Sequence, residues 1–380
     1  MRSSMFYKPS ITRRILKILG ITIGVLLLVF LIILGVRYFM NLSGRMFINN
    51  NPKVTALDFE LDPGISYQSA TTDKALFFYS IENMKVIDAK GKLVEDLSLK
   101  FSNPAVRTKN NRALFYDAGG RKIVTYNGTK QNTSLELEEN ILLAAVNKNG
   151  YMLIVTESDM HKCSVRVLKA DGKEIFKWNS GGLTVVAADI ADNNKDITVS
   201  AINTDESVVK NQIIMFNISK EKPFTNDTYD GEIFSAVHYS DNHLYCVGTK
   251  NTYIYNSYGK RSGTISYNGR SLQNYALEKG LLTLVFSGSS ESSGVFEIKT
   301  FNKKGEAMGS FSVLQAFDYF DVKNKTIAIN NGRTISLLND HCQEKGRVNL
   351  DFDIQDFIFF GNENKGIGIT ASGAVLIELK

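Results

Sequence analysis

Short apolar or alternating runs, divided by turn residues, fill most of this sequence from about residue 53 onward. The clearest example spans 141–179, where four such runs read ILLAAVN, YMLIVTES, CSVRVLKA and KEIFKWN. Tight turns at Lys148–Gly150 and Asp171–Gly172 separate two pairs of them, and glycine tolerates the positive φ that such turns require. Apolar patterns of this length predict strands. The segment therefore predicts four consecutive antiparallel strands, the unit of one propeller blade.

The turn between the third and fourth strands of this unit recurs along the chain. It is found near residues 91, 128, 172, 220, 259, 305 and 346, and six of these seven turns carry a glycine. The intervals of about 37 to 48 residues are typical of blades of ~40–45 residues with variable loops. Seven full sets of four strands end near Leu350, and three more strands follow at 353–360, 365–370 and 374–380.

The sequence therefore predicts an all-β, eight-bladed β-propeller whose last blade is completed by an N-terminal strand at 53–61. Such closure ties the ring and protects its strand edges. A seven-bladed ring is the alternative. The predicted organisation is a cytoplasmic basic tail at 1–17, a transmembrane helix at 18–36, a linker at 37–52 and an extracytoplasmic propeller at 53–380.

The membrane anchor is predicted from the uncharged segment between Ile18 and Val36. As a helix it would span about 28 Å, close to the ~30 Å hydrocarbon core of a bilayer. Arg13, Arg14 and Lys17 precede it, and this excess of positive charge predicts a cytoplasmic N-terminus, with the propeller outside the cell membrane. A cleaved signal peptide or a twin-arginine export signal is the alternative for this segment.

The net charge of +5 reflects this anchor rather than a nucleic-acid surface. Residues 1–45 hold seven of the 44 basic residues and none of the 39 acidic ones, so the remaining chain carries 37 basic and 39 acidic residues. A nucleic-acid partner is therefore not expected.

Closure by residues 53–61 also predicts which face of the ring lies near the membrane. Residues 53–61 would form the fourth strand of the last blade. The chain enters a fourth strand from the face that carries two kinds of loop, those between the first and second strands of a blade and those between the third and fourth. Lysines are frequent in those loops, which favours either contact with anionic lipid or simple solubility. The opposite face has the longer loops, where a binding site is expected. The candidate partner-binding residues in these loops are Glu157, Asp159, Asp205, Glu206 and Glu291.

Catalytic and metal-binding motifs are not recognisable in this sequence. The four His and three Cys residues lack metal-ligand spacing, and residues 189–196 favour an Asx-rich turn over a calcium loop. We therefore predict no catalytic residue, no metal and no cofactor, with unpaired or buried cysteines. The alternative is an enzyme, either an envelope glycan hydrolase or lyase or a degenerate quinoprotein. Its site would lie in the propeller channel and draw on His238, Tyr239, Asp318 and Tyr319.

The segment KADGKEIFKW (169–178) resembles the repeat of quinoprotein-like propellers, in which an Ala, an Asp-Gly-Lys-type turn and a Trp recur and dock one blade on the next. The pattern is weaker at 89–97 and 303–311, where no Trp follows, so the resemblance implies the ring without the dehydrogenase activity. The whole layout resembles a clostridial-type family of Gram-positive single-span membrane proteins with an extracellular quinoprotein-like or WD40-like propeller. A full ring of repeats without a catalytic constellation predicts a non-enzymatic binding or scaffold module at the cell envelope, and a more distant resemblance to the quinoprotein-like propellers of envelope assembly factors implies protein binding by the blade loops. The protein would contact the bilayer through 18–36 and a protein or envelope partner on the face opposite the membrane.

Overall fold

The chain forms eight small antiparallel sheets in the computed structural model. The structure describes residues 28–32, 46–57, 59–62, 64–204, 209–220, 222–287, 295–313, 317, 319–370 and 373–380. Two compact units are distinguished, Met1–Phe47 and Ile48–Lys380. In the first unit residues 28–32 are helical and exposed. Among the described residues, no helix is long and apolar enough to cross a bilayer. The anchor residues Arg13, Arg14, Lys17, Ile18 and Val36 lie outside the described part.

The second unit contains the blades, each built from strands that follow one another in the chain. Within a blade we name these strands A to D from the centre outward. Two short strands precede the blades, β1 (Phe47–Asn49) and β2 (Val54–Ala56). Blades 1 and 2 consist of β3 (Gln68–Thr71), β4 (Ala75–Tyr79), β5 (Asn83–Asp88), β6 (Leu93–Ser98), β7 (Pro104–Lys109), β8 (Arg112–Asp117), β9 (Lys122–Asn127) and β10 (Lys130–Glu136). Blades 3 and 4 consist of β11 (Ile141–Val146), β12 (Met152–Thr156), β13 (Ser164–Leu168), β14 (Glu174–Asn179), β15 (Thr184–Ile190), β16 (Asp196–Asn203), β17 (Lys210–Asn217) and β18 (Thr225–Asp230).

The remaining strands complete the eight-bladed, all-β architecture, which confirms the predicted fold class. Blades 5 and 6 consist of β19 (Phe234–Ser240), β20 (His243–Gly248), β21 (Asn251–Tyr255), β22 (Arg261–Ser266), β23 (Leu272–Glu278), β24 (Leu281–Ser287), β25 (Phe296–Phe301) and β26 (Ala307–Val313). Blades 7 and 8 contain β27 (Tyr319–Lys323), β28 (Thr326–Asn331), β29 (Thr334–Leu338), β30 (Glu344–Asn349), β31 (Asp356–Phe360), β32 (Asn362–Thr370) and β33 (Gly373–Glu378). In the sheet order, β1 stands next to β30 and β2 next to β33.

The eighth blade is completed by β2, which runs antiparallel to β33. Val54 pairs with Ile377 and Ala56 with Val375. The strand is shorter than the 53–61 predicted from the sequence. It ends where Leu57 turns inward and is buried in the core between blades 8 and 1, with Phe78 and Phe360 among its neighbours.

The hydrophobic core lies between consecutive blades. Between blades 3 and 4 it includes Val165, Val167 and Val199, all fully buried. Trp178, on the D strand of blade 3, packs on Phe216 of blade 4 with ring centroids 5.0 Å apart. This contact is the blade-to-blade docking that the quinoprotein-like repeat implied. The three cysteines are unpaired and buried.

Candidate binding surfaces

The B–C and D–A loops form one side of the ring, which we call the long-loop face. Glu157 and Asp159 are exposed there, in the loop between β12 and β13. Glu157 Oε2 accepts a hydrogen bond of 2.9 Å from Asn140 Nδ2, in the preceding D–A loop. Asp205, Glu206 and Glu291 lie outside the described residues, so their part in a common surface remains a prediction.

Two exposed apolar side chains on the long-loop face were not found from the sequence. Met160 is 86% exposed and follows Asp159 in the same loop, while Ile81 is 55% exposed in the B–C loop of blade 1. A single methionine within SDMHK carries no periodic signal, so only the structure shows that it points to solvent. Exposed methionine is a flexible, polarizable contact group at protein-binding surfaces.

Acidic groups outnumber basic ones among the exposed described residues of the long-loop face. The acidic residues are Glu60, Asp62, Glu82, Glu138, Glu157, Asp159, Asp230, Asp351 and Asp353. The basic residues are Lys100, Arg121, Lys162, Lys250 and Arg333. Arg333 is bound to Asp353 through both its Nε and an NH2 group, at 2.9 and 3.1 Å. The exposed described residues of this face therefore carry a net negative charge.

The A–B and C–D turns form the opposite side of the ring, which we call the turn face. Its exposed charges are overwhelmingly lysines. Among the described residues these are Lys53, Lys74, Lys90, Lys92, Lys130, Lys148, Lys169, Lys173, Lys195, Lys220, Lys222, Lys260, Lys279, Lys303, Lys304, Lys325 and Lys380. The exposed carboxylates in the same described turns are Asp171, Glu174, Asp241 and Glu306.

This excess of lysine arises from how the turns are built. Asp88 Oδ1 accepts hydrogen bonds from the backbone N–H groups of Lys90 and Lys92, at 2.8 and 3.0 Å. Asp192 Oδ1, in the A–B turn of blade 4, accepts one of 3.2 Å from the N–H of Lys148 in the A–B turn of blade 3. Asp side chains in such turns bond to nearby backbone. The two aspartates are thus bound to turn backbone and half-buried, while the lysine side chains reach into solvent.

A polar cavity of about 790 Å³ opens among the A–B turns at the centre of the ring. All eight blades contribute to its wall, through residues that include Thr72, Lys109, Lys148, Asp192, Tyr239, Glu278, Asp321 and Gly361. Because each A strand contributes the residues nearest its end, the cavity joins positions that are far apart in the sequence.

Aspartates on two A strands fasten neighbouring blades around this cavity. Asp189 Oδ2 accepts a hydrogen bond of 2.7 Å from the N–H of Tyr239, and Asp321 Oδ2 accepts one of 2.8 Å from the N–H of Phe359. Burial raises the pKa of each aspartate to about 6. Lys109 Nζ reaches across from blade 2 and donates to the carbonyl of Tyr239 at 2.5 Å.

His238 precedes Tyr239 of the cavity wall on the A strand of blade 5, and its hydrogen-bond partner is not an acid. Its Nε2 shares a 2.9 Å hydrogen bond with the hydroxyl of Tyr275 on the next blade. Burial, together with the cations of Arg107 and Lys109, lowers the pKa of His238 to about 4, so the ring is neutral at pH 7. Asp318 lies outside the described residues. Within the described residues, no group of three or more His, Cys, Asp or Glu side chains is placed to hold a metal ion.

The family of this chain is shown by a match over most of its length. Residues 61–379 match the model described as "Family of unknown function (DUF5711)". The chain belongs to the DUF5711 family. No curated protein sequence matches it significantly.

Among solved structures, the DUF5711 ring is similar to BamB from Moraxella catarrhalis, with 13% sequence identity and a TM-score of 0.54. That match covers 86% of this chain and 99% of the BamB chain. It is also similar to the C-terminal WD40 domain of Sif2, with 11% identity and a TM-score of 0.60, over 88% of this chain and 99% of that one. These likenesses independently support the propeller fold.

The raised pKa of Asp189 gives the DUF5711 ring a testable pH dependence. The pKa of this carboxyl is about 3.9 in the unfolded chain, below its value of about 6 in the folded protein. The folded state therefore binds the proton more tightly, and the free energy of unfolding rises as the pH falls through 6. Asp189→Asn removes the charge. The free energy of unfolding of the variant minus that of wild type should therefore be about 1 kcal/mol lower at about pH 5 than at about pH 7.5, because only wild type gains from protonation.

Urea unfolding at the two pH values measures this difference. Asp159→Asn, in an exposed loop, is the matched control and should follow wild type. An Asp189→Asn difference that stays constant with pH would show that burial does not govern this carboxyl.

Proposed function

We propose that this protein is a membrane-anchored, extracytoplasmic β-propeller that serves as a non-enzymatic binding or scaffold module at the cell envelope. The span at 18–36 would tether it, with residues 1–17 in the cytoplasm, as in a Gram-positive single-span membrane protein. The observation that carries the proposal is the difference between the two faces of a closed ring. Lysines dominate the exposed charges of the turn face, whereas the long-loop face has more acidic than basic groups and two exposed apolar side chains.

The turn face is the side from which the chain enters the ring. Lys365 pairs with Glu378 at one end of β33, and Lys53 Nζ lies 2.7 Å from Glu378 Oε1 at that same end. This end carries the A–B turn of blade 8 at Gly361. A linker of residues 37–52 that leads to Lys53 would therefore place the turn face toward the bilayer. Its lysines suit that position, since a lysine close to an anionic lipid surface contributes about 1 kcal/mol.

The long-loop face would then point away from the membrane and remain free for a partner. Met160 and Ile81 supply apolar contact groups there, and the surrounding carboxylates favour a protein with a basic surface. Electrostatic complementarity of this kind accelerates encounter and selects partners. We therefore propose a protein partner that binds across the loops of blades 1 and 3.

The extracytoplasmic location is tested by thiol labelling of intact cells. Because all three native cysteines are buried, Asp159→Cys adds one accessible thiol to the described ring. We expect a membrane-impermeant maleimide to label this variant in intact cells and to leave the wild type unlabelled. Labelling that requires lysis of the cells would place the ring in the cytoplasm and overturn the proposed orientation.

A further inference from the structure

The outermost strand of blade 6, β26, is an open edge that carries no charged residue. Among the described strands it has a neighbour on one side only, and its sequence is AMGSFSV. Each D strand of blades 1 to 5 and of blade 7 carries at least one charge, namely Glu95, Lys130, Lys177, Asp227, Arg261 and Arg347. Charged side chains keep an edge strand from pairing with another chain. β26 therefore lacks the protection that the other edges have.

Blade 7 shows that the outer edge of a D strand in this ring accepts a further strand. β1 stands next to β30 as the fifth strand of that sheet, and Asn349 Nδ2 of β30 donates a 2.7 Å hydrogen bond to Asn50 Oδ1. Asn349 pairs with the first residue of β29, just as Val313 of β26 pairs with the first residue of β25. No described strand covers β26 at this level, where β1 covers β30.

The two halves of β26 differ in what they contact. In the first half, the carbonyl of Met308 accepts a 3.1 Å hydrogen bond from His341 Nδ1 of blade 7. In the second half, Phe311 and Val313 pack on the core between blades 6 and 7, whereas Ser310 and Ser312 are exposed. The part of the edge that can take a further strand is therefore Ser310–Val313.

A cleft of about 410 Å³ lies beside this edge, between blades 5 and 6. The buried rings of Tyr267, Phe286 and Phe301 contribute to its wall. β26 contributes Ala307 and Ser310, whose small side chains leave space in front of these rings. The cleft can therefore hold an apolar side chain of a segment that pairs with β26.

The charges beside the cleft are two cations that share one carboxylate. Arg270 and Lys299 line the cleft, and both bind Glu297 Oε2, Lys299 Nζ at 3.2 Å. The Arg270 guanidinium also lies over the ring of Phe286, 4.9 Å from its centroid. One carboxylate does not balance two cations, so an acidic segment is favoured here over a basic one.

We propose that β26 binds an extended segment of a partner protein, which pairs with Ser310–Val313 as a fifth strand of blade 6 and places a bulky apolar side chain in the cleft. In strand addition of this kind, backbone hydrogen bonds provide affinity and side-chain pockets provide specificity. Side chains at paired positions lie on the same face of a sheet, so a residue opposite Ser310 faces the cleft. This site is separate from the long-loop face and does not depend on the partner proposed there.

Selection of random peptides displayed on phage tests the proposal, with the full chain in detergent as the target. Peptides that also bind the variant Ser310→Lys are removed, because a lysine there puts a charge on the edge and in the cleft. We expect the remaining peptides to carry bulky apolar residues at alternate positions and no excess of positive charge. A synthetic copy should bind Ser312→Lys, a second edge variant, at least about tenfold more weakly than wild type.

Ser134→Lys is the matched control. Ser134 is exposed on β10 of blade 2 and, like Ser310, is the second residue after the irregularity in its D strand. The variant should bind the peptide like wild type. Absence of any peptide after removal of those that bind Ser310→Lys, or an equal loss in Ser134→Lys, would overturn the proposal.

Amide hydrogen exchange distinguishes strand addition from binding elsewhere on the ring. The peptide should slow exchange within Ser310–Val313 at least about fivefold, because its backbone pairs with N–H groups that face solvent in the free chain. Unchanged exchange there would contradict the proposal. A wild-type dimer in sedimentation velocity that Ser312→Lys converts to a monomer would assign the edge to a second copy of this chain and would also overturn it.

Discussion

Alanine in place of Gly309 is expected to destabilise the ring by about 3 kcal/mol. Gly309 lies on β26, the outermost strand of blade 6, where it meets the C–D turn of blade 7. A Cβ added to it would lie 2.0 Å from the carbonyl oxygen of His341 and 2.3 Å from its carbonyl carbon. Both are backbone atoms, so the clash can be relieved only if the two blades separate. The free energy of unfolding in urea measures the effect.

Gly182→Ala is the control for this experiment. Gly182 lies in the loop between blades 3 and 4, and a Cβ there would have no neighbour within 4 Å. Its substitution should change stability by no more than about 0.5 kcal/mol. Equal stabilities of the two variants would contradict the close packing of blades 6 and 7 at this point.

Neutralising lysines of the turn face is expected to weaken binding to anionic vesicles by about 100-fold or more. The change replaces five exposed lysines from four blades by glutamine, namely Lys90, Lys195, Lys220, Lys260 and Lys304. Each contributes up to about 1 kcal/mol when it is close to an anionic lipid surface. Residues 46–380 include every strand of the ring and are sufficient for the measurement by vesicle co-sedimentation.

The long-loop face offers a control with the same change in net charge. Its five exposed basic residues, Lys100, Arg121, Lys162, Lys250 and Arg333, are replaced by glutamine in a second variant. This variant should keep wild-type affinity, because those side chains would point away from the lipid. An equal loss in both variants would mean that net charge, rather than the turn face, determines binding.

The architecture was predictable because its signals are local and repeated. Each C–D turn, such as Asp171–Gly172, is a short stretch whose backbone conformation favours particular residues, and its recurrence gives seven full blades. The eighth followed from the last three strands and the N-terminal strand that completes them. The quinoprotein-like resemblance around Trp178 also carried correct information, since that side chain packs on Phe216 of the next blade. The length of β2 was overestimated, because the inward turn at Leu57 depends on a core formed by distant blades.

The channel could not be assembled from the sequence. His238 and Tyr275 are 37 positions apart, and Asp189 and Tyr239 are 50 apart, yet each pair is hydrogen-bonded across blades. Which residues of an A strand face the channel depends on how the ring closes. His238 and Tyr239 were correctly placed at the end of an innermost strand, whereas Asp321 and Tyr275 gave no signal. Asp189 was assigned to an Asx-rich turn, but it lies on the A strand of blade 4. The same holds for Met160, whose exposure depends on the shape of one loop.

In the proposed orientation, the long-loop face binds a protein partner while the turn face lies toward the membrane. Photo-crosslinking amino acids at Asp159 and Glu82 on one face, and at Lys195 and Lys260 on the other, test it in native membranes. We expect a discrete protein adduct from the first two positions. This adduct should disappear in the double variant Glu157→Lys with Met160→Ser, while the melting temperature of that variant stays unchanged. Protein adducts that form only from Lys195 and Lys260 would contradict this orientation.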